Sequence, residues 1–163
     1  MCIRDSSVSG KIKITGTWER VAYIGWCYSE KSKSNYTLLG TGEYAKCKFY
    51  STDEGAKRAQ TLIGQHSDMY SAVNVLNYAT IGYPYVASIN NCKWYMDNVP
   101  DASNPKPGYV IVGKDAAHCA VIDKEGDKFI HTNPVTKTVS TTSMSMIKNY
   151  FKNGYVFKDY NCK

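Results

Sequence analysis

The sequence predicts an α+β protein: an antiparallel meander sheet with helices packed on it, preceded by a β-rich N-terminal segment. Three observations predict this. Residues 11–50 are rich in β-branched and aromatic residues. Two later stretches, 51–64 and 66–82, carry apolar residues at helical spacing. Beyond residue 106, three short apolar runs follow one another with turn residues between them.

Each element has a local reason. "KIKITGTW" and "ERVAYIGW" read as strands, "EKSKSN" as a polar loop, and "GEYAKCKFY" alternates again. In "STDEGAKRAQTLIG", Thr52 or Asp53 suits a helix N-cap, Ala56, Ala59 and Ile63 share one face, and Gly64 suits the end. In "HSDMYSAVNVLNYATIG", Ser67 or Asp68 suits the N-cap, and Met69, Val73 and Leu76 form a stripe. Gly82 stops this helix, and Pro84 forbids its continuation. A short helix over 91–98 ends before Pro100, and "DASNPKP" is a loop. "GYVIVG", "HCAVID" and "DKFIHT" are three strands, with "KEGD" as the hairpin turn between the last two. "TSMSMIKNYFKNG" reads as a helix ending at Gly154, and "YVFKDY" as a final strand. The helices are expected on one side of the sheet.

The chain of 163 residues fits one domain. Residues 1–7 fit no element and read as an artefactual or disordered tail. Residues 8–63 form the β-rich segment with one helix, and 64–163 a helix-and-sheet unit. A hydrophobic content of 43% is enough for a core. No apolar run approaches the roughly 18 residues of a membrane span, so no membrane insertion is expected. The N-terminus lacks the roughly 7–15-residue apolar stretch of a signal peptide. Localisation is left open by the residues.

The net charge of +6 is scattered rather than stacked on one helix. A modest positive field favours anionic partners such as cell wall, and is also simply a soluble surface. No basic helix, zinc-finger spacing or RNP-like motif is present, so nucleic acid is not expected as a partner. The six cysteines include no C-x-x-C pair, so neither a structural zinc nor a thioredoxin-like site is expected, and no metal ligands are singled out. Cys27 and Cys47 flank a hairpin, and the sequence leaves open whether they pair. A monomer is expected.

The chemistry concentrates in "GYPYVASINNCKWYM" and "HCAVIDKEGDKFIH". Cys92 opens the short helix, where free N–H groups and the helix dipole stabilise a thiolate and suit an oxyanion. Strand side chains alternate, so His118, Ala120 and Ile122 share one face, as do Phe129 and His131 on the next strand. The hairpin makes His118 and His131 cross-strand neighbours. If the helix of Cys92 packs on that face, a Cys-His-His site assembles. The plain alternatives are a core cysteine and structural histidines. Cys119 has the other face of its strand and reads as core, Cys162 is terminal, and His66 reads as a surface residue. A second arrangement rests on a resemblance: "SDMYSAV" is similar to the papain helix "C-W-A-F-S-A-V" with Ser67 in the cysteine's place, which would imply a dead or engineered nucleophile with His118 and Asn133 as partners; the plain role for Ser67 is a cap.

In their order, these pieces resemble the NlpC/P60 superfamily of papain-like cysteine peptidases. The likeness runs through the helix at 67–81, "GYPYV", "NNC", "KPGYVIV", "HCAVI" and "FIH", and covers about residues 67–160. It implies a papain-like NlpC/P60 core, with 64–163 as the catalytic domain. It implies Cys92 as nucleophile, His118 as general base and acid, and His131 as the orienting group. It implies hydrolysis of an amide bond in cell-wall peptide, a peptidoglycan or peptide substrate, and no cofactor. Tyr85, Asn91 and Trp94 would line the substrate cleft, although Tyr85 also suits plain packing. The sequence departs from the family's pattern in four places. "ASI" replaces the aromatic-Gly-Gly loop, "NCKW" replaces D-C-S-G, "PGY" replaces P-G-D, and the 26-residue step from Cys92 to His118 is short. These departures motivate a second expectation, a non-catalytic binding or structural module on the same fold. A third is an acyl-transferring relative.

Overall fold

The structure is a computed structural model that describes residues 20–22, 26–29, 34–38, 45–47, 50–86 and 89–160; before residue 50 it describes backbone alone. The strand expected in "KIKITGTW" lies outside the described residues, as do the side chains of Cys27 and Cys47.

Four short strands come first: β1 (Arg20–Ala22), β2 (Trp26–Ser29), β3 (Ser34–Leu38) and β4 (Ala45–Cys47). They pair antiparallel as β1 with β4 and β2 with β3. Helix α1 (Thr52–Gln60) follows. Its N-cap is Ser51, one residue before the predicted caps, and the Ser51 side chain accepts from the Glu54 N–H. Helix α2 (Ala72–Ile81) starts later than predicted, with Ser71 as N-cap. The reason is a competing use of the backbone upstream. Residues 64–67 pair with the segment 137–139 through Gly64 N–H to Val139 O, Val139 N–H to Gln65 O and Ser67 N–H to Lys137 O. Gly82 ends α2 as predicted, in the left-handed conformation at φ 93°. Helix α3 (Lys93–Asn98) has Cys92 at its N-cap.

Six further strands form one antiparallel sheet. They are β5 (Asp101–Ala102), β6 (Val110–Gly113), β7 (Cys119–Ile122), β8 (Lys128–Thr132), β9 (Val139–Ser143) and β10 (Tyr155–Lys158). Their order is β5-β10-β6-β7-β8-β9, so β6 to β9 are the predicted meander with β9 added. The fold is α+β, as the sequence predicts. The predicted helix over 142–154 shrinks to a 3₁₀ turn (Met144–Met146) and the four-residue α4 (Ile147–Tyr150). Its first residues are Thr and Ser, which suit a strand. They complete β9, whose five residues pair with β8 from Val139↔Thr132 to Ser143↔Lys128.

The helices do not share one side, which corrects the prediction. The sheet has two covered faces and two clusters of buried side chains. One face carries Val110, Val112, Cys119, Val121, Ile130 and Val139, packed with Ala59 of α1, Leu76 and Ala79 of α2, and Tyr95 of α3. The other carries Ile111, Ala120, Ile122 and Phe129, covered by Ile147 and Phe151 around α4. Odd and even positions separate cleanly because the strand period is two. α1, counted by the sequence with the β-rich segment, thus packs into the main core. Gly108, in the "PGY" piece, adopts φ 83°, and a Cβ there would lie 1.8 Å from the Thr52 carbonyl oxygen. The close approach of this turn to the start of α1 therefore needs glycine.

A buried polar network fixes α2, α3 and the chain between them. Asn77 donates from Nδ2 to the carbonyls of Pro84 and Ile89, at 3.2 and 2.9 Å. Its Oδ1 accepts from the Tyr95 hydroxyl at 2.7 Å, and that hydroxyl also bonds Thr80 Oγ1 at 2.9 Å. Asn77, Thr80 and Tyr95 are all buried. Lys158, also buried, anchors the far end of α3: its Nζ donates to Met96 O at 2.7 Å and pairs with Asp101 at 2.6 Å. Removing one member of such a network strands the others. Asn77→Ala is expected to lower unfolding stability by roughly 2–4 kcal/mol, and Tyr95→Phe by less, in urea titrations followed by tryptophan fluorescence.

Candidate functional site

The sequence places its chemistry on β7, β8 and the start of α3, and the structure divides that chemistry between the two faces of the sheet. His118 stands immediately before β7, and its carbonyl accepts from Gly113 N–H at 2.9 Å, so the strand ladder extends to it. Its ring points to the α4 face, 5.2 Å from the Phe151 ring. His131, on β8, lies fully buried on the same face, with ring centroids 4.8 Å from Phe129 and 4.7 Å from Tyr150. The two imidazoles meet as the hairpin predicts: His118 Nε2 and His131 Nδ1 share a hydrogen bond of 2.8 Å. His131 Nε2 continues the chain to Thr142 Oγ1, also at 2.8 Å.

Cys92 is on the other side. Its side chain joins Cys119 in a disulfide, with the two Cα atoms 6.0 Å apart, inside the span a disulfide bridges. Cys92 is 5% exposed and Cys119 not at all, and both belong to the core cluster on the α1–α3 face. His118 and Cys119 are consecutive residues at the start of one strand, so their side chains point in opposite directions. The structure therefore joins His118 to His131 and Cys92 to Cys119, and does not bring Cys92 to either imidazole. The condition for a Cys-His-His site, that α3 pack on the histidine face, is not met. α3 packs beside α2 because Tyr95 hydrogen-bonds Asn77 and Thr80 there.

The residues expected to line a cleft are scattered around α3. The exposed Tyr85 donates to Met69 O at 2.7 Å, tying the loop after α2 to the turn before it. Asn91 is exposed, and its Nδ2 donates to Asn90 Oδ1 at 3.2 Å. Trp94 is half-buried, edge-on to Tyr95 at 5.3 Å. The Ser67 arrangement does not assemble either. Ser67 caps no helix and sits on the strip paired outside β9, three strand spacings from β7, about 14 Å. Asn133 Oδ1 accepts from the N–H groups of Val135 and Thr136, while its Nδ2 donates to the Tyr150 hydroxyl.

Two partners escape the sequence reading. Thr142 was hidden in a predicted helix; the Val-Ser-Thr-Thr run was its signal. Cys119 has the core face that the sequence predicts, and its pairing with Cys92 follows from the side of the sheet on which α3 packs, which carries no local sequence signal. Among the described residues no cluster of three or more His, Cys, Asp or Glu is arranged to hold a metal ion.

The electrostatics of the histidine pair follow from burial. Burial lowers the His118 pKa to about 4, with Asp115 opposing part of the effect. Burial, and then the nearby His118, lower that of His131 to about 3. Both rings are neutral at pH 7. A neutral pair needs one proton between the facing nitrogens, and two cations would set N–H against N–H. The unfolded histidines titrate near 6.5, so they take up protons before the folded ones do. Stability is fully present above about pH 6.5 and is lost as pH falls toward about 4 and 3. Guanidinium titrations between pH 7 and pH 4 should show this decline, and His118→Gln/His131→Gln should flatten it while lowering stability at pH 7.

No family model matches the chain, and no curated protein matches it.

Proposed function

We propose that this chain is a non-catalytic binding or structural module on a papain-like α+β core. The observation that carries the reading is the division of the sheet: the cysteine that would attack and the imidazoles that would serve it lie on opposite faces. A thiolate nucleophile needs its base within hydrogen-bond reach, near 3 Å or through one water. A sulfur engaged with Cys119 has no thiolate to offer. The histidines, neutral and roofed by aromatic rings, suit a structural hydrogen-bonded chain that links β7, β8 and β9. The exposed Tyr85, Asn90 and Asn91, between α2 and α3, are open to a ligand such as a wall peptide. The scattered positive charge suits an anionic wall polymer.

One specific observation favours the competing reading, a cysteine hydrolase of cell-wall peptide. His118 and His131 are hydrogen-bonded at 2.8 Å, as a base and its orienting group are. In that reading Cys92 is a free thiol, and α3 reaches the histidine face in the acting form.

Two measurements on the full chain separate them. Iodoacetamide labelling of the native protein at pH 7, read by peptide mass, should leave Cys92 unmodified. Purified peptidoglycan incubated with the wild type and with Cys92→Ala should give the same muropeptide masses as buffer. Rapid alkylation of Cys92, with new fragments from the wild type only, would establish the hydrolase and overturn the module.

A further inference from the structure

At the N-terminal end of α3, Lys93 pairs with Asp97 and the Trp94 carbonyl accepts from Asn98 Nδ2, contacts within the helix itself, while Trp94 packs against the core cluster that holds Cys92. The helix has six residues, far below the length at which an isolated helix is stable in water. Its N-cap residue is Cys92, which makes no side-chain capping hydrogen bond, and its first turn carries no acidic residue. The other end is fixed well, by the Tyr95 hydroxyl on Asn77 and Thr80 and by Lys158 Nζ on Met96 O. Upstream, the chain is fixed at Ile89, whose carbonyl accepts from Asn77. Between these anchors stand the exposed Asn90 and Asn91, then Cys92 and the half-buried Trp94. The covalent tie from this stretch to the sheet is the Cys92–Cys119 bond, across 27 residues of chain.

We infer that the Cys92–Cys119 cystine is a redox latch, whose reduction releases residues 90–94 from the sheet while β6, β7 and β8 stay in place. The inference rests on the cystine and its neighbours, not on the binding reading. A dithiol reductant supplies the chemistry. One of its thiolates attacks a cystine sulfur, the S–S bond breaks, and a mixed disulfide forms. Its second thiolate closes on the first, leaving as the oxidised disulfide, and two electrons and two protons end on Cys92 and Cys119. In the reverse direction a disulfide oxidant of the same class remakes the bond. The near-complete burial of both sulfurs means that attack needs the start of α3 to open first, so reduction is slow and coupled to the release. The freed stretch carries Asn91 and adjoins the loop of Tyr85, so the latch controls the order of that surface.

The test is hydrogen–deuterium exchange by mass spectrometry on the full chain, oxidised, reduced with a dithiol, and as Cys92→Ala/Cys119→Ala. A non-reducing digest of the oxidised sample should first yield one linked peptide pair joining Cys92 to Cys119. Peptides covering 90–94 should then exchange at least tenfold faster after reduction and in the double variant. Peptides from β6, β7 and β8 should change less than twofold. An unlinked pair in the oxidised chain overturns the latch. So does exchange in 90–94 that is unchanged, or that rises equally across the sheet. The module reading survives any of these, because wall cleavage is read separately.

Discussion

The two-residue period of β7 decides what can meet what in this protein. Consecutive residues His118 and Cys119 open the strand, and pleating sends them to opposite faces. Everything nearby follows that division. Cys119 goes down with Val121 into the layer built by α1, α2 and α3, and takes Cys92 with it. His118 goes up with Ala120 and Ile122, meets His131 across the hairpin, and is roofed by Phe151. A one-residue slip in β7 would exchange the two sets, but the ladder to β6 (Val110↔Val121, Val112↔Cys119) and to β8 (Val121↔Ile130) resists it.

Both faces are then locked by polar networks of different kinds. On the helical face, Asn77 collects two loop carbonyls and the Tyr95 hydroxyl, so one side chain sets where α2, the following loop and α3 stand relative to one another. On the other face, two neutral imidazoles and Thr142 tie three consecutive strands together beneath α4. Histidines in this setting are held by burial in their neutral form, which is compatible with structure and unfavourable to a site that must carry a positive charge near pH 7.

Much of this was legible in the sequence. The β6–β7–β8 meander, the Gly82 stop, the short helix after Asn91 and the contact between His118 and His131 follow from period, turn residues and hairpin register alone. Three things were not legible, each for a physical reason. The start of α2 moved because residues 64–67 found a strand partner in 137–139, a pairing invisible to local propensity. The last two residues of β9, Thr142 and Ser143, fall inside the predicted helix because they adjoin a Met- and Lys-rich run that does suit one. The side of the sheet that α3 covers depends on Asn77 and Tyr95, 18 residues apart, and no periodicity reports such a contact. That last choice separated a candidate nucleophile from its candidate base.

The central claim is therefore one of faces, and side-chain proximity tests it most directly. Nuclear Overhauser contacts from the His131 imidazole protons, in labelled full-length protein at pH 7, would be measured first. The account predicts contacts to Phe129, Tyr150 and Thr142, and none to Cys92. Contacts from either imidazole to the Cys92 β-protons would contradict it, and would place the cysteine and the histidines in one site.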